Sequence, residues 1–178
     1  MGKIPKRGKA RKNVITDTTP DLSSENFTFD FRDNRWLLGV KKGKFTNKLK
    51  DVESYSKSIT LIMAKIIPEI QAKSKDIQQS MASDFHCHPI EQGHRSYITV
   101  LAVMREIYGH SFEKTIQSNE QIYQIGVSGG IRIITLRNKQ TNIIRPLFID
   151  YHHLAYPNPK YSHTDYIKQS FCPIANYL

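Results

Sequence analysis

Three β-rich runs in the second half of the chain constrain its fold more than any other feature. They cover residues 122–127, 131–137 and 143–150, and a Gly-containing link and a polar link separate them. Short β-branched runs divided by Gly and Asn are typical of consecutive antiparallel strands. The sequence therefore predicts a three-stranded antiparallel meander at the centre of the fold.

The middle and last runs carry more specific information. Residues 131–137 are apolar on both alternating faces except at Arg132, which indicates a central strand covered on both sides. In the last run, Pro146 cannot donate a hydrogen bond to a neighbouring strand, so we expect an edge or a bulge at that position.

The remainder of the chain predicts helices and one further strand or hairpin. Residues 26–32 alternate Phe with polar residues, as in a half-buried strand, and residues 36–40 could form its hairpin partner. From residue 47, apolar residues recur at helical spacing, which predicts an amphipathic helix that ends or kinks near Pro68 and a second segment beyond it. Residues 95–108 predict another helix, with Gly109 as its C-terminal cap.

These elements predict an α+β fold. We expect one domain, residues 26–178, in which a small antiparallel sheet packs against two or three helices. Residues 1–25 are basic and rich in Ser and Thr, so we interpret them as an arm without a core of its own.

Positive charge is concentrated in two segments. The chain has a net charge of +10, whereas residues 1–12 and 35–50 together carry +12 and no acidic residue. Clustered positive charge is typical of proteins that bind polyanions, although a solubilising tail and a solvated face would look similar. We therefore predict contact with RNA or the ribosome. The candidate residues are Lys3, Lys6, Arg7, Lys9, Arg11, Lys12, Lys41, Lys42, Lys44 and Lys160.

Other protein classes have little support in the sequence. The two cysteines are too few for a disulfide framework, and no apolar run approaches the roughly 20 residues that span a bilayer. No apolar segment of the kind found in secretory signals follows the basic N-terminus. We expect a soluble, cytoplasmic protein that requires no cofactor.

A segment rich in histidine, residues 83–94, offers a second kind of site. His86, His88 and His94 accompany Cys87, and imidazole and thiolate are the ligands that zinc prefers. The segment lacks the second paired spacing of a zinc finger, and hydrogen-bonded loop residues explain the pattern equally simply. We therefore predict no metal and keep the three histidines as the candidate ligands.

The end of the last β-rich run collects groups that can transfer protons. Asp150, His152, His153 and Tyr156 follow closely on one another. His153 is the first candidate for an acid or base because the pKa of histidine lies near neutrality. The alternative is structural, with Asp150 and His153 forming a local pair that fixes the turn after the strand.

The order of elements, with Gly130-Ile131-Arg132 on one strand and Phe-x-Asp-x-x-His from Phe148 to His153 followed by Tyr156, resembles the RelE/ParE toxin superfamily. For the RelE-like branch, the resemblance implies cleavage of messenger RNA on the ribosome, with the ribose 2′-hydroxyl as the nucleophile. It implies that His153 is the acid or base, that Arg132 and Arg145 hold phosphate, and that Tyr156 or Tyr161 stacks on a base.

Two alternatives remain open. The protein could bind RNA or the ribosome without turnover, or it could act like ParE as a module that contacts another protein. An antitoxin or another protein could be its partner in either case.

Overall fold

The computed structural model describes residues 26–79, 85–127, 129–157 and 165–178. The predicted basic arm, residues 1–25, and also Lys160 and Tyr161 lie outside the described residues.

A five-stranded sheet forms the centre of the described fold. Its strands are β1 Thr28–Phe29, β4 His88–Pro89, β5 Glu120–Ile125, β6 Arg132–Asn138 and β7 Ile143–Asp150. Their order across the sheet is β1-β7-β6-β5-β4. The predicted meander is confirmed as three antiparallel strands with β6 in the middle.

The sheet is mixed, so the prediction of a purely antiparallel sheet was wrong at one edge. β1 pairs with β7 in parallel, with Thr28 opposite Ile143. Most of the chain lies between these strands, so no tight turn imposes an antiparallel pairing. The predicted irregularity at Pro146 is confirmed, because the register shifts where Thr135 faces Pro146 and Ile134 faces Phe148.

The helix predicted from residue 47 has an irregularity near Pro68, as expected, but it is a π-helical segment just before Pro68, and Pro68 itself lies in the next α-helix. α1 Val52–Leu61 begins at Asp51, whose side chain accepts the N–H of Ser54. The π segment Ile62–Ile66 follows and leads into α2 Ile67–Ala72 and α3 Ser74–Gln78. Because Pro68 has no N–H, the regular bond to the residue four positions earlier is absent, and the wider turn accommodates that loss.

The second predicted helix is confirmed as α4 Arg95–Tyr108, and Gly109 after it adopts a positive φ of 87°. The hairpin partner predicted at residues 36–40 was wrong. Asp33 accepts the N–H of Arg35 and starts a 3₁₀ helix, Asn34–Leu37, and the hairpin follows as β2 Lys41–Lys42 and β3 Phe45–Thr46. Two more 3₁₀ helices, Phe112–Thr115 and Asp165–Lys168, and α5 Pro173–Tyr177 complete the described elements.

Apolar side chains cover both faces of the sheet. α1, the π segment, α2 and α3 pack on one face, and α4 with the β2–β3 hairpin packs on the other. The alternation within β6 shows the division, because Ile133 belongs to the first core cluster and Ile134 to the second. The interpretation of β6 as a strand covered on both faces is therefore confirmed.

Within the described ranges, no helix combines the length and the apolar character needed to cross a membrane.

Candidate nucleic-acid interface

Arg132, predicted to contact phosphate, lies inside the protein and is 3% exposed. Its Nη1 donates to the carbonyl oxygens of Gly129 at 2.6 Å, Ile131 at 2.9 Å and Val127 at 3.3 Å. Burial lowers the pKa of Arg132, and the charge of Asp150, its cross-strand neighbour, opposes that change. The guanidinium therefore holds the link between β5 and β6 together and presents no surface to an RNA phosphate.

Asp150 is fully buried and organises the turn after β7. Its Oδ1 accepts the N–H groups of His152 and Leu154, at 3.3 and 2.9 Å, and its Oδ2 accepts the N–H of Ala155 at 2.6 Å. Burial raises the pKa of Asp150, and the three N–H groups lower it in part. This geometry matches the structural interpretation, in which the carboxyl group fixes the exit of the strand.

The two histidines after Asp150 have different surroundings. His153 is half-buried and has a positive φ of 57°, in the left-handed region where His occurs more often than most residues. His152 is buried, its Nε2 lies 2.8 Å from the carbonyl oxygen of Lys48, and its ring stacks on Tyr166 with centroids 4.1 Å apart. A carbonyl oxygen only accepts, so Nε2 of His152 carries the proton. His152 therefore attaches the end of β7 to the basic segment 35–50.

Tyr156 packs between two histidines of the His-rich segment. Its ring stacks on His94 at 4.5 Å and meets the edge of His88 at 5.1 Å. His88 Nε2 lies 3.2 Å from Nε2 of Gln124, and His94 Nδ1 accepts the N–H of Ser96 at the start of α4. These contacts join Tyr156 to the β4 edge of the sheet.

Arg145 lies towards the opposite end of β7. It faces Leu136, whereas Asp150 faces Arg132 at the other end of the same strand pair. Five residues of strand correspond to about 16 Å. The structure thus places Arg145 at one end of the sheet, His153 and Tyr156 beyond the other end, and Arg132 in the interior. It does not bring the four predicted catalytic residues into one site.

The His-rich segment runs along β5 as an edge strand. His86 donates its N–H to the carbonyl of Gly126, and His88 faces Gln124 in the ladder. The pKa of His86 is lowered, first by burial and then by the charges of Arg132 and His88. Among the described residues, no three His, Cys, Asp or Glu side chains are grouped so that they could hold a metal ion.

Cys87 should be an unreactive thiol in the folded protein. Burial raises its pKa to about 11 from the ordinary value of 9.0. Two pKa units correspond to about 100-fold less thiolate at pH 8, and the thiolate is the reactive form. We therefore expect iodoacetamide to modify Cys87 about 100-fold more slowly in the folded chain than in 6 M urea, as measured by mass spectrometry on Cys172→Ser.

The comparison with urea is made on the same variant, so that only one thiol is counted. Equal rates in the folded and unfolded chain would contradict the burial of Cys87 and would revive its candidacy as a thiolate ligand for zinc.

The β2–β3 hairpin displays the lysines that were predicted to bind nucleic acid. Lys41 and Lys42 form β2, and Gly43, with a φ of 58°, starts the tight turn that leads to Lys44. Lys42 Nζ lies 3.0 Å from Glu106 on α4, and Lys41 Nζ donates to the carbonyl oxygen of Ile167. In the described part of the chain, Lys44 forms no ion pair.

Between the end of α4 and the 3₁₀ helix Phe112–Thr115, a cleft of about 300 Å³ is lined by two arginines. Arg35 lies over the ring of Tyr108, 4.6 Å from its centroid, and pairs with Asp33, whose pKa it lowers. Arg145 contacts Glu120 at 3.7 Å, and its buried Nε has no hydrogen-bond partner. Ser111 and Thr115 also line the cleft.

Sequence reasoning placed Arg35 and Arg145 in separate elements and did not join them. Glu106 and Tyr108 lie two residues apart on α4, so the hairpin and the cleft contact two different faces of the last turns of that helix. The basic composition of residues 35–50 was the available signal. No local pattern in the sequence indicated that Arg145 would line the same cleft as Arg35.

The fold and the site define the class of protein: an α+β domain with a mixed sheet and a hairpin that displays lysines. Residues 32–178 match the family described as Uncharacterised protein UU032. The chain belongs to this family.

A similar curated protein is Uncharacterized protein UU032 of Ureaplasma parvum serovar 3 (strain ATCC 700970). It is 25% identical over 179 residues, which cover 99% of this chain and 97% of that protein. No solved structure matches the chain significantly. None of these comparisons tests the resemblance to the RelE/ParE superfamily, which stays a prediction.

Proposed function

We propose that this protein binds RNA, free or within the ribosome, through a basic surface formed by the β2–β3 hairpin and the arginine cleft. The observation that supports the proposal is their convergence on α4. Lys42 contacts Glu106, and Arg35 stacks on Tyr108 one half-turn further along the same helix. Two kinds of phosphate donor, flexible ammonium groups and planar guanidinium groups, therefore lie near the same end of α4, on two different faces of the helix.

Charge balance favours backbone contacts over base recognition. The segment 35–50 contains six basic residues and no acidic residue. Acidic residues outside the segment pair with part of this charge: Asp33 with Arg35, and Glu106 with Lys42. Glu120 pairs with Arg145 of the cleft. Phosphate contacts supply the sequence-independent part of nucleic-acid affinity, and they weaken steeply with salt. We therefore expect modest sequence preference and strong salt dependence.

Ribonuclease activity of the RelE kind, with a RelE-like arrangement of the sheet, has less support. It requires His153, Arg132, Arg145 and Tyr156 to meet at one phosphate. Their separation and the burial of Arg132 favour binding over turnover as the proposal.

The test compares two triple variants that remove the same charge. Lys41→Gln/Lys42→Gln/Lys44→Gln should weaken binding of a 20-nucleotide single-stranded RNA about tenfold at 150 mM salt and flatten the salt slope by about 2, since each lost phosphate contact removes about 0.7. The matched control, Lys57→Gln/Lys65→Gln/Lys73→Gln, alters exposed lysines on and between the helices of the other layer and should change affinity less than threefold. Fluorescence anisotropy between 50 and 300 mM salt gives both quantities.

Three outcomes contradict the proposal. Equal losses in the two triple variants would reduce the interaction to net charge, and the absence of binding at low salt would remove it altogether. Cleavage of the RNA by wild type but not by His153→Ala would replace binding with the ribonuclease hypothesis. A chain lacking residues 1–12 measures the contribution of the N-terminal basic segment separately.

A further inference from the structure

A second surface feature next to the hairpin has a different chemistry. A groove of about 740 Å³ lies between the hairpin, α4 and the 3₁₀ helix Asp165–Lys168. We call it the apolar groove. The apolar residues that line it include Phe45, Ile98, Ala102, Leu154 and Ile167.

Two isoleucines at this groove are exposed to water. Ile98 is 73% exposed and Ile167 is 41% exposed. Ile98 and Ala102 lie one turn apart on α4, so they form one stripe along the helix. A contiguous exposed apolar patch of this kind typically marks a surface that another molecule covers.

The rim of the groove is positively charged. Lys42 and Lys44 line it, and none of the described residues that line it is acidic. Lys42 is paired with Glu106, whereas Lys44 forms no ion pair in the described part of the chain. The occupant must therefore combine apolar groups for the floor with negative charge for the rim.

We propose that the apolar groove binds an acidic amphipathic helix of a partner protein. Aliphatic side chains at positions i, i+3 and i+4 of such a helix would cover Ile98, Ala102 and Ile167, and flanking carboxylates would meet Lys42 and Lys44. RNA fits this floor poorly because bases stack on exposed aromatic rings, and Phe45, the aromatic side chain among the described lining residues, is buried.

The groove also connects partner binding with the basic surface. Lys42 and Lys44 belong to both, so a bound acidic helix would compete with RNA for these two ammonium groups. The apolar contacts with Ile98 and Ile167 stand independently of RNA binding, which allows the two proposals to fail separately.

The experiment selects displayed 16-residue peptides that carry apolar residues at helical spacing and random residues elsewhere, on the full chain. We expect the selected peptides to be enriched in Asp and Glu. Anisotropy of the best peptide should show at least a tenfold weaker Kd for Ile98→Asp and about fivefold for Lys44→Glu. Met63→Asp is the matched control, since Met63 is 48% exposed on the other helical layer, and it should leave Kd unchanged.

Circular dichroism of each variant confirms that it is folded before binding is compared. The proposal is overturned if no peptide is enriched, if the selected peptides lack an acidic bias, or if Met63→Asp weakens binding as much as Ile98→Asp. It is also overturned if Ile98→Asp weakens binding to vesicles of phosphatidylserine and phosphatidylcholine, or to the 20-nucleotide RNA, but weakens binding to none of the peptides. The groove would then bind a different kind of molecule.

Discussion

Replacing Arg132 with methionine should lower the free energy of unfolding by about 3 kcal/mol and leave the RNA affinity of the folded protein unchanged. The substitution keeps much of the side-chain volume but removes the donor shared by the carbonyls of Val127, Gly129 and Ile131. It also removes the positive charge that faces the buried Asp150 across the strand pair, and each lost hydrogen bond contributes about 1 kcal/mol. Urea denaturation measures the first quantity and RNA anisotropy the second.

Arg32→Met is the control for the loss of one positive charge. The Arg32 side chain is 91% exposed, so its replacement should change stability little. The result that contradicts a structural role is the reverse pattern, in which Arg132→Met keeps its stability and loses RNA affinity. Arg132 would then be accessible to phosphate, as the RelE resemblance implied.

Much of the sheet could be predicted because its signals are local. The central position of β6 follows from apolar residues on both faces of one short run, and the bulge opposite Thr135 follows from the missing N–H of Pro146. α4 and its Gly109 cap follow from periodicity and a residue that tolerates positive φ. Each of these features depends on residues that are close in sequence.

The two wrong predictions of the fold concern features that depend on contacts between distant residues or on competing local hydrogen bonds. The parallel pairing of β1 depends on where residue 28 meets residue 143, which no turn dictates. The 3₁₀ helix at Asn34–Leu37 forms where the Asp33 side chain captures the N–H of Arg35, and this local bond competes with the expected hairpin.

The site was harder to predict because residue type does not determine exposure. Arg132 was correctly singled out as an exception on an apolar strand, but its partners are carbonyls of a loop whose path the sequence does not specify. The arginine cleft required Arg145 and Arg35 to meet through the packing of α4. Conversely, the basic composition of residues 35–50 is visible without any knowledge of the packing. The sequence alone therefore predicts the hairpin lysines as candidate RNA-binding residues.

Asp150→Ala should also destabilise the protein by about 3 kcal/mol. It leaves the N–H groups of His152, Leu154 and Ala155 without their acceptor, and each such bond contributes about 1 kcal/mol. Asp150→Asn should cost less, because one carbonyl oxygen still accepts. Asp51→Ala removes a carboxyl that accepts the N–H of Ser54 at the start of α1, and it should give a smaller loss in the same urea experiment.

The pH dependence of the Asn variant separates burial from hydrogen bonding at Asp150. Burial raises the pKa of Asp150 above its value in the unfolded chain, so the stability it contributes is fully present below about pH 4 and falls as pH rises through the folded pKa. The stability lost on Asp150→Asn should therefore be greater at pH 4 than at pH 8. A loss that grows with pH would mean that the three N–H groups stabilise the carboxylate more than burial destabilises it. In either case Asp150 acts on the fold, and a proton shuttle at this strand end would have to rely on His153 alone.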